Sequence, residues 1–441
     1  MTRANWTEVD AGTFDPAPPR RALAYWSRGG KFALYNDYQN PASFLVRHPS
    51  EGGMGPVGAL WASDDAPGGP RRLAIASEGE GYGVFTFPFG PITEGVPEAG
   101  RFDLKTYGER ILGAEPIGGY KRRRILDAVA GLPIEDAALR IERTAGNFAA
   151  AHVSAFLGAA EAALGRSVAV GELWTRALAQ ELQRIYNHVH LIARIAEAAA
   201  QNLGVAQAHA LAEEMLRFQG DVFGHRWSFG ALVPGGPTRH LARSDRAKLP
   251  ARLGTIERRF EELWSLFLGS RTFIDRIQAT AEIARDRAIA LGAVGPTLRA
   301  CGVAWDDRLR VPTVPYSDLF VELPREDGGD ALARVLVRAD EVRSSLSLLE
   351  QLLDRWPGAP DEPVPPEPAV GPNAGLGRVE APSGDLVYEV EVAEGRVARV
   401  GCRTPSQANF PALAEGLNGA VFTDFHFAFE SFGLVFAEVD R

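Results

Sequence analysis

Two cysteines and eight histidines are the whole stock of soft and borderline metal donors in this chain, and their spacing limits what they can do together. Cys301 and Cys402 lie far apart, so there is no Cys-x-x-Cys zinc pair, no iron–sulfur ligand run and no disulfide framework. Each reads as a small buried hydrophobe. His188 and His190 are two residues apart, which on a helix points them in different directions, whereas a shared ion needs an i, i+4 pair. His225, His240 and His426 have no ligand-type neighbour at a usual spacing. Nucleophilic and phosphate-binding signatures are missing too, with no Gly-x-Ser-x-Gly, His-Glu-x-x-His or Gly-x-x-x-x-Gly-Lys stretch. The glycine cluster Gly79-Glu80-Gly81-Tyr82-Gly83 runs into the strand-like Val84-Phe85-Thr86-Phe87 and then Pro88; a phosphate loop would open a helix, so a hairpin turn is expected. Among the carboxylates, Asp306, Asp307 and Arg308 follow Arg299 closely enough to build an ion-pair network, and Glu438, Asp440 and Arg441 are placed to bury the C-terminal end. Such networks perturb pKa values at proton paths and at purely structural sites alike.

The elements that must position these groups are mostly helical. Trp174, Leu178, Leu182, Ile185, Val189 and Ile192 step by 4, 4, 3, 4 and 3, and Leu253, Ile256, Phe260, Leu263 and Phe267 by 3, 4, 3 and 4, the spacing of one helix face. A third helix is signalled by Leu332, Val335, Leu336, Ala339, Val342, Leu346 and Leu349. Apolar stripes of this length bury against one another, which predicts a bundle. Residues 1–85 are rich in Gly, Pro and aromatics with short apolar runs such as Leu73-Ala74-Ile75-Ala76 and read as a small strand-containing module. Seven prolines between Pro357 and Asn373 make that stretch a linker or a surface loop. After it, Leu386, Tyr388, Val390 and Val392 alternate with more polar neighbours, Glu394-Gly395 offers a turn and Val397-Ala398-Arg399-Val400 returns, a β-hairpin pattern. The fold class expected is therefore α+β, a helical core flanked by a β-rich N-terminal module and a C-terminal hairpin, divided as 1–85 and 86–441.

With 46% hydrophobic and 23% charged residues over 441 positions, the chain is long and apolar enough to bury a sizeable core. A net charge of −9 and the lack of any basic block longer than Lys121-Arg122-Arg123-Arg124 argue against nucleic acid as a partner. The start has no basic stretch followed by an apolar one, and nowhere do about 18 apolar residues run together, so a soluble, cytoplasmic protein is expected.

Several blocks, in order across roughly residues 86 to 441, resemble the D-type subunit of NADH:quinone oxidoreductase (respiratory complex I) and its relative, the large subunit of [NiFe] hydrogenases of the group 4 kind. They are Gly90-Pro91-Ile92-Thr93 to Gly100-Arg101-Phe102, Glu142-Arg143-Thr144-Ala145-Gly146-Asn147-Phe148 with His152 and Glu161 to Gly165, Glu181-Leu182-Gln183-Arg184-Ile185 with His188, Val233-Pro234-Gly235-Gly236, Gly295 to Gly302, Glu380-Ala381-Pro382-Ser383-Gly384-Asp385, and the ending Val435 to Arg441. Hydrogenases read Glu-Arg-x-Cys-Gly-x-Cys at the second block. The resemblance puts Ala145, Phe148, Val435 and Glu438 where four metal-binding thiolates would stand, and Ser383 where an arginine would overhang the metal. A nickel–iron centre needs those soft donors, so the resemblance implies a relative whose metal site is lost. It matches the quinone-binding histidines of the complex I relative to Thr93 and Pro97 and its tyrosine to Gly146, against quinone reduction by the usual pair. An apolar cleft near His152, Phe148 and Phe436 is left as a place for a quinone. The candidate cavity residues are Arg143, His152, Arg299, Asp306, Glu438 and Asp440. The resemblance further implies no cofactor on this chain, an iron–sulfur cluster in a small partner protein like the B-type iron–sulfur subunit of complex I, integral membrane subunits next to it, and peripheral attachment to the inner face of the cell membrane.

Overall fold

The computed structural model describes residues 22–27, 31–36, 44–47, 70–74, 81–93, 96–234, 236–237, 243–357 and 373–440. The expectations placed on Ile75-Ala76, on Gly79-Glu80, on His240, on most of the proline-rich stretch and on Arg441 lie outside the described residues.

Three helices form the centre, and each follows its apolar spacing. The helix α3 (Val170–Ala198) buries the whole Trp174-to-Ile192 stripe. It packs beside α4 (Asn202–Phe223) and α8 (Ala331–Asp354), while α5 (Leu249–Leu268) seats its own stripe from Leu253 to Phe267 against α4 and α8. Asp330 caps α8 by accepting from Ala333 N at 2.8 Å, and its other oxygen accepts from Ala279 N at 2.7 Å, so one carboxylate starts the helix and ties down the preceding loop.

In front of α3 stand α1 (Ile134–Ile141) and the alanine-rich α2 (Ala149–Leu164), which is buried along nearly all its length. Small residues let α2 lie directly on a three-stranded antiparallel sheet of β10 (Asn373–Ala381), β11 (Gly384–Ala393) and β12 (Arg396–Arg403). A Cβ added at Gly377 would stand 1.9 Å from the Ala155 carbonyl oxygen, and one at Gly375 2.1 Å from that of Ala159. Glycines two apart on a strand thus face residues four apart on a helix, which is how the two periods meet on one surface. The expected hairpin is present as β11–β12, closed by Glu394 and Gly395 at φ 53° and 72°, the primed turn that suits the strand twist. The sequence missed β10. Its Glu380-Ala381-Pro382-Ser383-Gly384 block is a second tight turn, against which the loop entering α6 (Gly295–Arg299) packs so closely that a Cβ at Gly295 would meet Ser383 O at 2.3 Å.

The N-terminal part contains a meander of β1 (Ala22–Ser27), β2 (Lys31–Asn36) and β3 (Phe44–Arg47). A further antiparallel sheet has the order β4 (Arg71–Arg72), β7 (Arg110–Gly118), β6 (Arg101–Tyr107), β5 (Phe85–Phe89). It draws strands from both sides of residue 85. Pro88 is tolerated because β5 is an edge strand. Phe102 of this sheet packs edge-on against Phe425 and Phe436 at 4.9 and 5.8 Å, joining it to α9 (Pro405–Gly416), α10 (Phe425–Phe432) and the C-terminal tail. A minimal hairpin, β8 (Leu232–Val233) with β9 (Gly236–Pro237), and the short helix α7 (Asp307–Arg310) complete the described elements used below.

Candidate functional site

The four positions matched to metal ligands sit on two one-turn 3-10 segments. Ala145 precedes Gly146–Phe148, which leads into α2, and Val435 precedes Phe436–Glu438 near the end of the chain. They supply two apolar side chains on the first segment, and one apolar side chain and one carboxylate on the second. Phe148 is fully buried and belongs to the main core. Glu438 is buried as well, with Oε2 accepting from Ser406 N at 3.2 Å and from Ser406 Oγ. Ser406 lies in the first turn of α9, where free amides and the helix dipole favour an anion.

The first turn of α2 brings His152 to this carboxylate. Its Nε2 lies 3.2 Å from Glu438 Oε1 and its Nδ1 2.8 Å from the Tyr388 hydroxyl on β11. The contact with Tyr388 is a hydrogen bond, whereas the Nε2 approach to Glu438 is close without being one. Tyr388, His152, Glu438 and Ser406 form a buried polar cluster. Cys301 and Cys402 both lie outside this cluster, and among the described residues no group of three His, Cys, Asp or Glu side chains is arranged to hold a metal ion. Cys301 donates from Sγ to the carbonyls of Ile283 and Thr297, and burial pushes its thiol up to about 11. Cys402 is buried on β12, opposite Tyr388. The residues present do not fit a nickel–iron centre.

A second, larger constellation occupies the seam between α3 and α8. Arg299, at the end of α6, donates from Nη1 to Glu380 Oε1 and to Trp305 O, both at 2.8 Å, lies 3.3 Å from Asp306, and pairs through Nη2 with Glu341. Glu341 accepts from His188 at 2.7 Å, and Arg338 reaches the other ring nitrogen of His188 at 3.3 Å. Burial lowers His188 to about 4, so the ring is neutral, with Nε2–H donating to Glu341 and Nδ1 accepting from Arg338. Glu181 gathers Arg308 at 3.1 Å, Arg184 at 3.2 Å, Tyr316 Oη at 2.8 Å and Ser345 Oγ at 2.7 Å. All these side chains are buried.

Electrostatics divides the acids of this network. Burial alone would raise Glu341, but Arg299 and the His188 hydrogen bond outweigh it and hold the carboxyl well below its usual range. Asp306 and Glu181 are likewise held low against burial by their arginines. Glu380 behaves differently: burial and the charge of Asp306 lift it to about 7 despite its bond from Arg299.

The six candidates thus fall into three places. His152 and Glu438 meet directly, and Arg299 meets Asp306. Arg143 and the buried Asp440 are bridged by Arg123, which donates to Arg143 O at 2.8 Å and to Asp440 O at 3.2 Å. Arg143 is half exposed over the Phe229 ring, and Asp440 accepts from Gly119 N and Lys121 N at 2.5 and 3.1 Å, fastening the tail to the loop after β7. The apolar cleft expected at His152, Phe148 and Phe436 is closed, each of those side chains being no more than 1% exposed. Sequence reasoning missed Tyr388, Ser406, Glu341 and Arg338. A signal existed: Glu181, Arg184 and His188 step by 3 and 4 on α3, and Arg334, Arg338, Glu341 and Ser345 by 4, 3 and 4 on α8, polar stripes with the same period as the apolar ones.

Comparison with known proteins gives this geometry a context. The profile of the family described as respiratory-chain NADH dehydrogenase, 49 Kd subunit, matches residues 204–369. The carbon monoxide-induced hydrogenase of Rhodospirillum rubrum is 26% identical over 345 residues, covering 77% of this chain and 95% of that protein. A D-type subunit of the NADH-quinone oxidoreductase of Roseiflexus sp. is 29% identical over 406 residues, covering 85% and 97%. Among solved structures, a chain of the membrane-bound sulfane sulfur reductase, an archaeal respiratory membrane complex, superposes with a TM-score of 0.76 at 24% identity, covering 81% of this chain and 98% of that one. That likeness bears out the α+β fold.

Proposed function

We propose that this relative of the D-type subunits of NADH-quinone oxidoreductase and of membrane-bound hydrogenase subunits is the corresponding component of a membrane-associated oxidoreductase complex. It docks an iron–sulfur protein like the B-type subunit of complex I and couples electron transfer to integral membrane subunits, carrying no nickel or iron of its own. What supports this reading is the packing at the four matched positions, three apolar side chains and Glu438 set against His152 and Ser406, together with the dense buried ionic network around Arg299. A chain that had left redox assemblies altogether would have no evident need for so many buried charged residues at that seam, since apolar replacements are often as stable. Among the described residues no helix is long and apolar enough to cross a membrane, which suits a protein held on the inner face of the cell membrane through its partners.

Affinity purification of the tagged chain from its native membranes, with mass spectrometry and metal analysis of the product, tests the reading. Recovery of an iron–sulfur subunit and integral membrane subunits, with iron but no nickel, is expected. Recovery of the chain alone would sink it.

A further inference from the structure

Behind the Arg299 network lies a cluster that the proposed function does not use. Asp307, in the first turn of α7, and Asp385, at the start of β11, both reach the same nitrogen: Arg378 Nε donates to Asp307 Oδ2 at 2.6 Å and to Asp385 Oδ1 at 2.8 Å. Asp385 is doubly held, its Oδ2 accepting from Arg378 Nη2 and from Arg403 Nη1, each at 3.1 Å. Asp307 has no such second support, and its Oδ1 is buried without a donor among the described residues. Two buried carboxyl groups thus converge on a single N–H donor, Arg378 Nε. Like charges sharing one buried site disfavour each other's ionised form, and the Asp307 oxygen left without a donor is the place where a proton relieves that cost.

We propose that Asp307 and Asp385 form a proton-binding site, with one proton held on Asp307 beside the Asp385 carboxyl group that Arg378 and Arg403 grip. The surroundings agree with that division. Burial raises Asp307 well above its usual range, Arg378 opposes it, and Asp385 raises it further, whereas Asp385 is held low against burial by Arg378 and Arg403. Every element packed on the pair brings charge: Glu380 on β10 accepts from Asp307 N at 3.2 Å, Asp306 and Arg308 share α7 and its cap, and Arg299 of α6 lies behind Glu380. Asp307 and the Arg378 side chain are only slightly exposed, at 4% and 6%, so exchange with water passes this rim. Resting on the reading of a coupling subunit, the site would take up or release its proton when charge arrives on a docked partner, because a like charge nearby shifts which carboxyl can ionise. Proton binding itself needs no partner.

The test is infrared spectroscopy of the purified full-length chain at neutral pH, in water and in deuterium oxide. A protonated-carboxyl carbonyl band that shifts in deuterium oxide and moves when aspartate carboxyl carbons are isotopically labelled is expected in the wild type. The same band should vanish in both D307N and D385N, since an asparagine amide donates to the remaining carboxylate and removes the need for the proton. A wild-type chain without the label-sensitive band would overturn the proposal, as would a band lost in D307N but retained in D385N. Labelling requires no substitution, so a variant that fails to fold does not shelter the idea, and failure to recover partners would sink the proposed function while leaving this result untouched.

Discussion

The α3–α8 seam and the His152–Glu438 corner are both buried and polar, yet they are built in opposite ways. At the seam Arg299 alone touches Glu341, Glu380 and Asp306, and each acid has a second cation or hydrogen-bond donor. The corner has one carboxylate, one imidazole and two hydroxyls, surrounded by Phe148, Phe436 and alanines. A dense network resists the loss of any member because its remaining charges are left in low dielectric. A sparse chain of mostly neutral groups can lose one at the cost of little more than a hydrogen bond. The seam therefore sets the fold, and the corner is where substitutions can accumulate.

The contrast should break most visibly at Arg299. Arg299→Met leaves three buried carboxylates without their shared cation, and a loss of at least about 3–5 kcal/mol is expected in denaturant unfolding; a loss below about 1 kcal/mol would show that the seam is not the structural keystone. Next comes the contact that positions the corner. Gly377→Ala puts a methyl 1.9 Å from the Ala155 carbonyl, and prying α2 from β10 should cost roughly 1–3 kcal/mol while perturbing near-ultraviolet circular dichroism from Tyr388. Glu438→Gln keeps the shape and the Ser406 contacts, so about 1–2 kcal/mol or less is expected by the same unfolding assay; a larger loss would make the corner part of the fold's foundation.

The smallest effect sharpens the comparison through pH. Glu380 is raised from 4.5 to about 7, so the folded state binds its proton more tightly than the unfolded chain. Its contribution is complete below about 4.5 and fades as pH rises through about 7. Glu341, Asp306 and Glu181 are depressed, so their contribution is present above their ordinary values and disappears as pH falls below them. Thermal unfolding should therefore be most favourable to the folded state in mildly acidic buffer, and Glu380→Gln should flatten the decline towards neutral pH. An unchanged slope in that variant would assign the effect elsewhere.

Much of the architecture was open to reading. The apolar stripes of α3, α5 and α8 and the β11–β12 hairpin with its Glu394-Gly395 turn follow from period and turn chemistry alone. The Arg299–Asp306–Arg308 association was legible from proximity in the chain. Glu341 and Tyr388 were not, because each meets its partner across a long sequence separation and looks, locally, like one more residue of a helix or strand. Nor was β10, whose Gly375 and Gly377 lower strand propensity and make sense only against the backbone of α2.

The sequence by itself determined a largely helical α+β chain whose two cysteines lie far apart, with no thiolate at the four positions that the resemblance matches to metal ligands. That much is covalent fact, fixed by which side chains exist. The tertiary structure decided which polar groups meet: His152 and Tyr388 close on Glu438, and Asp307 meets Asp385 on Arg378. Distance and burial set these outcomes, and both arise only when α2, α7 and the β10–β12 sheet are packed together.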